Sequence, residues 1–329
     1  MRRREFIGFL GGATAWSLSA YAQQPERMRR IGVLMGIPEA DPSAADHVAA
    51  LRRGLRERGW IEGRNIQIDF RWTTGDPDRL RAAARELVGQ HPDVIVAHTI
   101  NPGIALKNET RTIPIVFCII SDPYGGGLIE NIAHPGGNIT GFSNLEPTMG
   151  AKWLEMLLEI APRVTRVAVL CDPKTAPTAA AFAPPAEAAA HKFAASAFLA
   201  PVHDPSEVER AMMILARESG GGLICPPDLF DWIHRKLITE LAARYKLPAV
   251  YPYRAFVAGG GLMSYGTDPP DQFGLTAIYV DRILRGANPG ELPVQAPVQF
   301  RLVINLKAAA GLGLNVPPSL IARADEVIE

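Results

Sequence analysis

The residues of this chain best placed to do chemistry are polar ones that end apolar runs. In "IVFCIISDPYGGG", residues 115–127, the apolar Ile115, Val116, Phe117, Ile119 and Ile120 give way to Ser121 and Asp122, and Gly125, Gly126 and Gly127 follow. An aspartate at a buried strand end accepts hydrogen bonds from an amine, and the glycines let backbone amides approach a bound group. The same Asp122 could instead cap a helix over 128–132, because caps at strand-to-helix turns are common. The sequence leaves both readings open.

Signatures of covalent chemistry are missing. The first strand leads into "GIPEADPSA" with no G-x-G-x-x-G, and no G-x-x-x-x-G-K-[ST] phosphate loop follows any strand. "LMSYG" has Leu262 where a nucleophile elbow needs its first glycine. Asp41, Asp46 and His47 lack the regular spacing of metal ligands and read as a solvated helix start. Neither cofactor nor metal is expected, and the chain is read as a non-enzyme. The alternatives are an exported hydrolase built on Asp122 with His98 or His203, and a sensory ligand-binding module.

The elements that must position these residues alternate. "RRIGVLMG" is a continuous apolar strand, and Val48, Leu51 and Leu55 mark one face of the next helix. "NIQIDFRW", "DVIVAHT" and "IPIVFCIISD" are further strands, "NITGFSN" a weaker fifth, and Asp76-Pro77 opens a helix through Leu80, Ala84 and Leu87. After a helix over Met149 to Ala161 the alternation restarts with "RVAVLCD", "SAFLAPVHD", "GGLICPPD", "PAVYPY" and "GLMSYG". The alanine-rich stretch from Thr178 to Phe193 reads as helical around Pro184-Pro185. This is α/β architecture with two parallel sheets. A tail from residue 266 adds one helix, on Phe273, Ala277, Val280 and Leu284, and one strand, too little for a third domain. The chain must therefore pass between the two domains several times.

In open parallel sheets ligands bind beyond the carboxyl ends of the strands. That rule selects Gly36, Ile37, His98, Thr99, Asn101, Ser121, Asp122, Ser143 and Asn144 in the first half. In the second it selects Asp172, His203, Asp204, Asp228, Tyr251, Tyr253, Ser264 and Tyr265. Two such rims facing each other would enclose a polar ligand, and Tyr124, Phe142 and the later tyrosines hint at a flat or apolar part to it.

Of 329 residues 47% are hydrophobic and 21% charged, the composition of an ordinary globular protein of two domains. Lysines and arginines are scattered along amphipathic segments instead of gathered on one face, so nucleic acid is not an expected partner. Residues 1–22 have a basic start at Arg2, Arg3 and Arg4, a short apolar run and a small-x-small ending at Ala20-Tyr21-Ala22. They read as an export signal of twin-arginine type, with Gly8 where a lysine is often found. Three cysteines, Cys118, Cys171 and Cys225, lie in apolar runs and read as buried small hydrophobes, with a disulfide between two of them left open.

Three stretches carry a resemblance: "SDPYGGGLIENIAHPGGNITGFS", "GLMSYGTD" and "FRLVINLKAAAGLGLNVPPSLIARADEVIE". With them nearly the whole chain after the signal resembles the TrpX-like ABC transporter substrate-binding proteins. The resemblance implies a type I periplasmic binding protein fold, with two Rossmann-like lobes and a hinge crossed three times. Lobe 1 is then expected at residues 29–142 plus 266–296 and lobe 2 at 143–265 plus 297–329. It also implies a small-molecule solute, an amino acid or related amine favoured, a periplasmic location and an inner-membrane ABC permease as partner. The ligand contacts it implies are Gly36, Thr99, Asn101, Ser121, Asp122, Asp228, Ser264 and Tyr265, to which the strand-end rule adds Asn144. Ser121 and Tyr124 depart from the glycine and valine more usual in the family on either side of the Asp-Pro pair.

Overall fold

The computed structural model describes residues 27–74, 76–174, 176 and 178–329, so the export signal expected over residues 1–22 lies outside the described residues. The first lobe is built on β1 (Arg29–Met35), β2 (Ile66–Trp72), β3 (Val94–His98), β4 (Ile115–Ile120) and β5 (Ile139–Ser143). They form one sheet in the order β2-β1-β3-β4-β5, parallel throughout. β3 and β5 are buried along their whole length, as a parallel sheet covered on both faces requires. At the edge, β2 turns Ile66 and Ile68 inward and Gln67 to solvent.

The second lobe contains β6 (Arg166–Cys171), β7 (Ser196–Pro201), β8 (Gly221–Ile224), β9 (Ala249–Tyr251), β10 (Met263–Gly266), β11 (Arg301–Asn305) and β12 (Glu326–Ile328). Their order is β12-β11-β10-β9-β8-β6-β7, and only the β10–β11 pairing is antiparallel. Three-residue β12 has no readable periodicity, and the sequence did not reveal it.

Around the sheets lie α1 (Ala44–Glu57), α2 (Pro77–Gly89), α3 (Ile100–Glu109), α4 (Met149–Ile160), α5 (Ala183–Ala190), α6 (Pro205–Ala216), α7 (Leu229–Ile233), α8 (Arg235–Arg244), α9 (Arg254–Ala258), α10 (Pro269–Leu284), α11 (Leu306–Gly311) and α12 (Pro318–Arg323). Asp76 starts α2 by accepting the Asp78 and Arg79 amides, and Pro77 takes the first helical place, where no hydrogen bond is lost. Pro184 and Pro185 likewise fall in the first turn of α5 and do not break it. In α4, Trp153 is fully buried, stacks 5.2 Å from Phe182 and donates its indole N–H to the Tyr265 carbonyl at 2.7 Å.

α10 leaves the second lobe after β10 and lies along α1 and the first sheet, burying Phe273, Ala277, Val280 and Leu284. Gln295 then bridges to Phe142 before β11 rejoins the second sheet. The chain thus crosses between lobes after β5, after β10 and before β11. The helix expected over 128–132 does not form. Asn131 accepts the Ala133 and His134 amides with its side chain, a local turn that competes with helix.

Candidate ligand-binding cleft

Between the lobes lies a cavity lined mostly by apolar groups with a few convergent polar ones, the character of a small-molecule site. The first lobe lines it with Ile37, His47, His98, Thr99, Ile100, Asn101, Ile119, Ile120 and Ser121, and Pro269 of α10 closes one side. The second contributes Ala176, Thr178, Pro227, Asp228, Leu229, Trp232 and Tyr253.

On the first lobe the backbone itself is bent to the task. Thr99, between β3 and α3, has φ 72° and ψ 169°, a region almost reserved for glycine, and Ile119 has φ 54° where β4 slips register against β5. Such conformations cost about 1–3 kcal/mol each and survive only where the surroundings impose them. The Thr99 amide is held by the Cys118 carbonyl at 3.1 Å. A Cβ on Gly36 would lie 2.3 Å from the Thr99 hydroxyl, so only glycine at the end of β1 leaves Thr99 its place. The Thr99 and Ser121 hydroxyls are buried without a hydrogen-bond partner, and Thr99 immediately precedes the first turn of α3.

Behind them His98 Nδ1 accepts the Gly36 N–H at 3.4 Å, and the His47 ring stacks on Phe273 with centroids 4.8 Å apart. Burial pushes His47 down to about 4, against the pull of Asp41 and Asp46. Burial and then His47 hold His98 well below its ordinary value. Both rings are neutral at pH 7.

On the second lobe the work falls to side chains. Asp228 caps α7, its Oδ1 accepting the Phe230 amide at 2.8 Å and its Oδ2 the Asp172 amide at 2.5 Å. Trp232 meets Tyr253 edge-on at 5.6 Å, and its buried indole N–H has no hydrogen-bond partner. The Tyr253 hydroxyl accepts from Asn144 Nδ2 at 2.5 Å, and Asn144 Oδ1 accepts from the Thr267 hydroxyl. Asn144 and Thr267 stand at the first two crossings, so the hinge is tied directly to the aromatic wall.

Of the ligand contacts expected from sequence, the cavity gathers Thr99, Asn101, Ser121 and Asp228, and of the further strand-end candidates it gathers Ile37, His98 and Tyr253. Gly36 and Asn144 stand one layer back, each placing a residue that does line it. Asp122 is outside the lining; with φ 48° it folds onto its own turn, where Oδ1 accepts the Gly125 amide at 2.8 Å. A Cβ on Gly126 would fall 3.0 Å from Thr178 of the other lobe, so a glycine of this loop serves the approach of the lobes. Ser264 is buried inside β10 between Tyr251 and Val303, and Tyr265 stacks on Phe300 at 5.7 Å. Neither lines the cavity.

Sequence reasoning missed Trp232, Thr178 and Ile119. Trp232 lies one helical turn beyond Asp228, so a strand-end search extended into the next helix would have found it. Thr178 and the bulge at Ile119 leave no such mark. His47, met first as part of a metal-like trio, is a cavity residue; among the described residues no cluster of histidine, cysteine, aspartate or glutamate could hold a metal ion. Cys118, Cys171 and Cys225 are buried free thiols, and burial raises the pKa of each. His203, of the hydrolase alternative, pairs with Asp172 at 2.8 Å and does not line the cavity.

Residues 31–328 match the family model described as "ABC transporter substrate binding protein". The chain is 24% identical over 286 residues to the tyrosine-binding protein of Clostridioides difficile (strain R20291), covering 85% of this chain and 79% of that protein. A conserved domain protein of Vibrio cholerae O1 biovar eltor is 30% identical with a TM-score of 0.84, covering 92% of this chain and 100% of that one. An ABC domain of Streptococcus pneumoniae in complex with L-Trp is 25% identical with a TM-score of 0.83, again covering 92% and 100%. Family match, fold and interlobe cleft agree: the chain belongs to the ABC transporter substrate-binding proteins, in their TrpX-like group.

Proposed function

We propose that the protein is an exported carrier that captures an aromatic amino acid between its lobes and delivers it from the periplasm to an ABC permease in the inner membrane. The observation that carries this reading is the polarity of the cavity. Two unpartnered hydroxyls, Thr99 and Ser121, and the first amides of α3 stand on one wall, and the Asp228 carboxylate stands on the other. Among the described residues lining it there is no lysine or arginine. Hydroxyls and helix amides receive an α-carboxylate without a counter-cation, and a carboxylate receives the ammonium group. Trp232, Tyr253 and the aliphatic Ile37 and Ile119 leave an apolar slot for a ring. The tyrosine-binding relative and the L-Trp complex support the same class of solute.

Closure is a hinge motion of residues 29–142 with 266–296 against 143–265 with 297–329, and the ligand shifts its population. No helix among the described residues is long and apolar enough to cross a membrane. Thermal melts of the protein with L-tryptophan, L-tyrosine, L-leucine, putrescine and ribose test the reading. A ligand at a hundredfold its Kd stabilises by about 2.7 kcal/mol, so an aromatic amino acid should give the largest shift. Asp228→Asn should weaken its binding by about 1.5–3 kcal/mol, the usual worth of a hydrogen bond to a charged group. A shift with ribose and none with any amino acid overturns the proposal.

A further inference from the structure

Behind Trp232 an ion pair crosses the cleft. Arg235 opens α8 in the second lobe, and Asp41 lies between β1 and α1 in the first. Arg235 donates to the two Asp41 carboxylate oxygens at 3.1 and 3.4 Å and to the Trp232 carbonyl at 2.7 Å, and its guanidinium lies 4.6 Å from the centre of a Trp232 ring. The side chains are only 5% exposed for Asp41 and 19% for Arg235. Asp41 is prepared for the pairing, because its Oδ1 also accepts the Ser43 amide at 2.9 Å and hydroxyl at 2.6 Å. Burial works against the Asp41 carboxylate, yet the Ser43 bonds and Arg235 outweigh it and hold its pKa below the ordinary value.

A buried charge without its partner is costly, so two such groups on separate lobes lose water together only when the lobes meet. We infer that Arg235 is a positioning residue for ligand capture: it braces Trp232 in the cavity wall and, through Asp41, makes closure depend on that indole being in place. The inference rests on the cavity being the ligand site. A guanidinium suits the role because its planar face stacks on the ring while its fork reaches both carboxylate oxygens. A ligand ring seated against Trp232 would then steady the same indole that Arg235 holds from behind. Separation of the lobes would have to break the ion pair, so the pair acts on escape of the ligand more than on its entry.

The test uses the full chain with L-tyrosine and L-tryptophan as probes, read by calorimetry and by dissociation kinetics. Asp41→Asn and Arg235→Gln should each speed dissociation about tenfold, with the association rate held within about twofold. The double variant should be no worse than the poorer single, and Arg235→Lys should recover only part of the loss. Melting of the ligand-free protein should fall with Asp41→Asn by clearly less than the affinity does; a pair that merely stabilises the fold would lower both alike. Losses that multiply in the double variant, a fall in ligand-free melting that matches the loss of affinity, or unchanged dissociation all overturn the inference. Should neither amino acid bind the wild type, the functional reading fails separately. The latch is then read from small-angle scattering of the ligand-free proteins, where Asp41→Asn must enlarge the radius of gyration; equal radii overturn it.

Discussion

The first wall of the cavity places its polar groups by main chain and the second by side chain. Thr99 and Ile119 keep positive φ, and Ser121 follows the bulge in β4. Asp228, by contrast, has ordinary extended backbone at φ −139° and ψ 137°, and Trp232 lies within the short helix that Asp228 caps. Main-chain placement is rigid and is held at the expense of local strain, whereas a side chain can be exchanged without redrawing the strand. On the proposed reading the strained wall meets the α-carboxylate, while the side-chain wall meets the ammonium group through Asp228 and, through Trp232 and Tyr253, the part that distinguishes one amino acid from another.

Breaking the second wall should have the largest effect. Trp232 is nearly buried and meets Tyr253 and Phe256 edge-on, so Trp232→Ala removes packing as well as the indole donor. Chemical denaturation should show a loss of about 3–5 kcal/mol, the usual range for a buried tryptophan. Trp232→Phe should retain most of that stability and lose the contribution of the N–H to binding. If Trp232→Ala melts like the wild type, the aromatic wall is not a packed element and the contrast between walls collapses.

The two lobes also respond to pH with opposite sign. In the unfolded chain His47 takes up a proton near 6.5, but folded only near 4. As pH falls from 6.5 to 4 the unfolded state binds a proton that the folded state refuses, so stability falls by about 3 kcal/mol across that window. Buried His98 has the same sign. In the second lobe, fully buried Asp231 has neither oxygen hydrogen-bonded, and burial, then the Asp228 and Asp172 charges, raise its pKa far above the usual carboxylate range. Its contribution is complete below its unfolded pKa and is lost as pH rises through the folded one. Denaturation across pH 4 to 8 should thus show His47→Phe flattening the loss toward acid. Asp231→Asn should raise stability near neutrality relative to wild type. A His47→Phe profile that keeps the wild-type slope between 6.5 and 4 refutes the first half.

How far the sequence announced this division depends on the kind of signal. The strand ends carrying Thr99, Asn101, Ser121 and Asp228 were legible, because apolar runs that stop at polar residues mark where a parallel sheet opens to ligand. Helix starts at Asp76-Pro77 were equally plain, since the cap is local chemistry. Asp122 was not legible: whether its carboxylate turns to a ligand or to the Gly125 amide is settled by a single positive φ that composition does not encode. The bulge at Ile119 hid for the same reason, as its residues read as uninterrupted strand. Asp41 and Arg235, 194 positions apart, meet only through the packing of one lobe on the other.

The smallest expected effect sharpens the contrast most, because its two readouts move in opposite directions. Thr99 sits where glycine is at home, and its hydroxyl is buried without a partner. Thr99→Gly should relieve the strain and remove that hydroxyl, while adding freedom to the unfolded chain that takes back part of the gain. A net stabilisation of the ligand-free protein by about 1 kcal/mol follows from the difference. Binding should weaken, since the hydroxyl proposed to meet the ligand carboxylate is gone and the loop leading into α3 is no longer braced. Thr99→Ser separates the two causes, keeping the hydroxyl and the strained φ while losing only a methyl group, and should bind within a few-fold of wild type. Equilibrium melts and calorimetry with the best amino acid from the panel read both quantities. If Thr99→Gly lowers stability and leaves affinity intact, the bent main chain serves the fold alone, and the first wall has no special claim on the ligand.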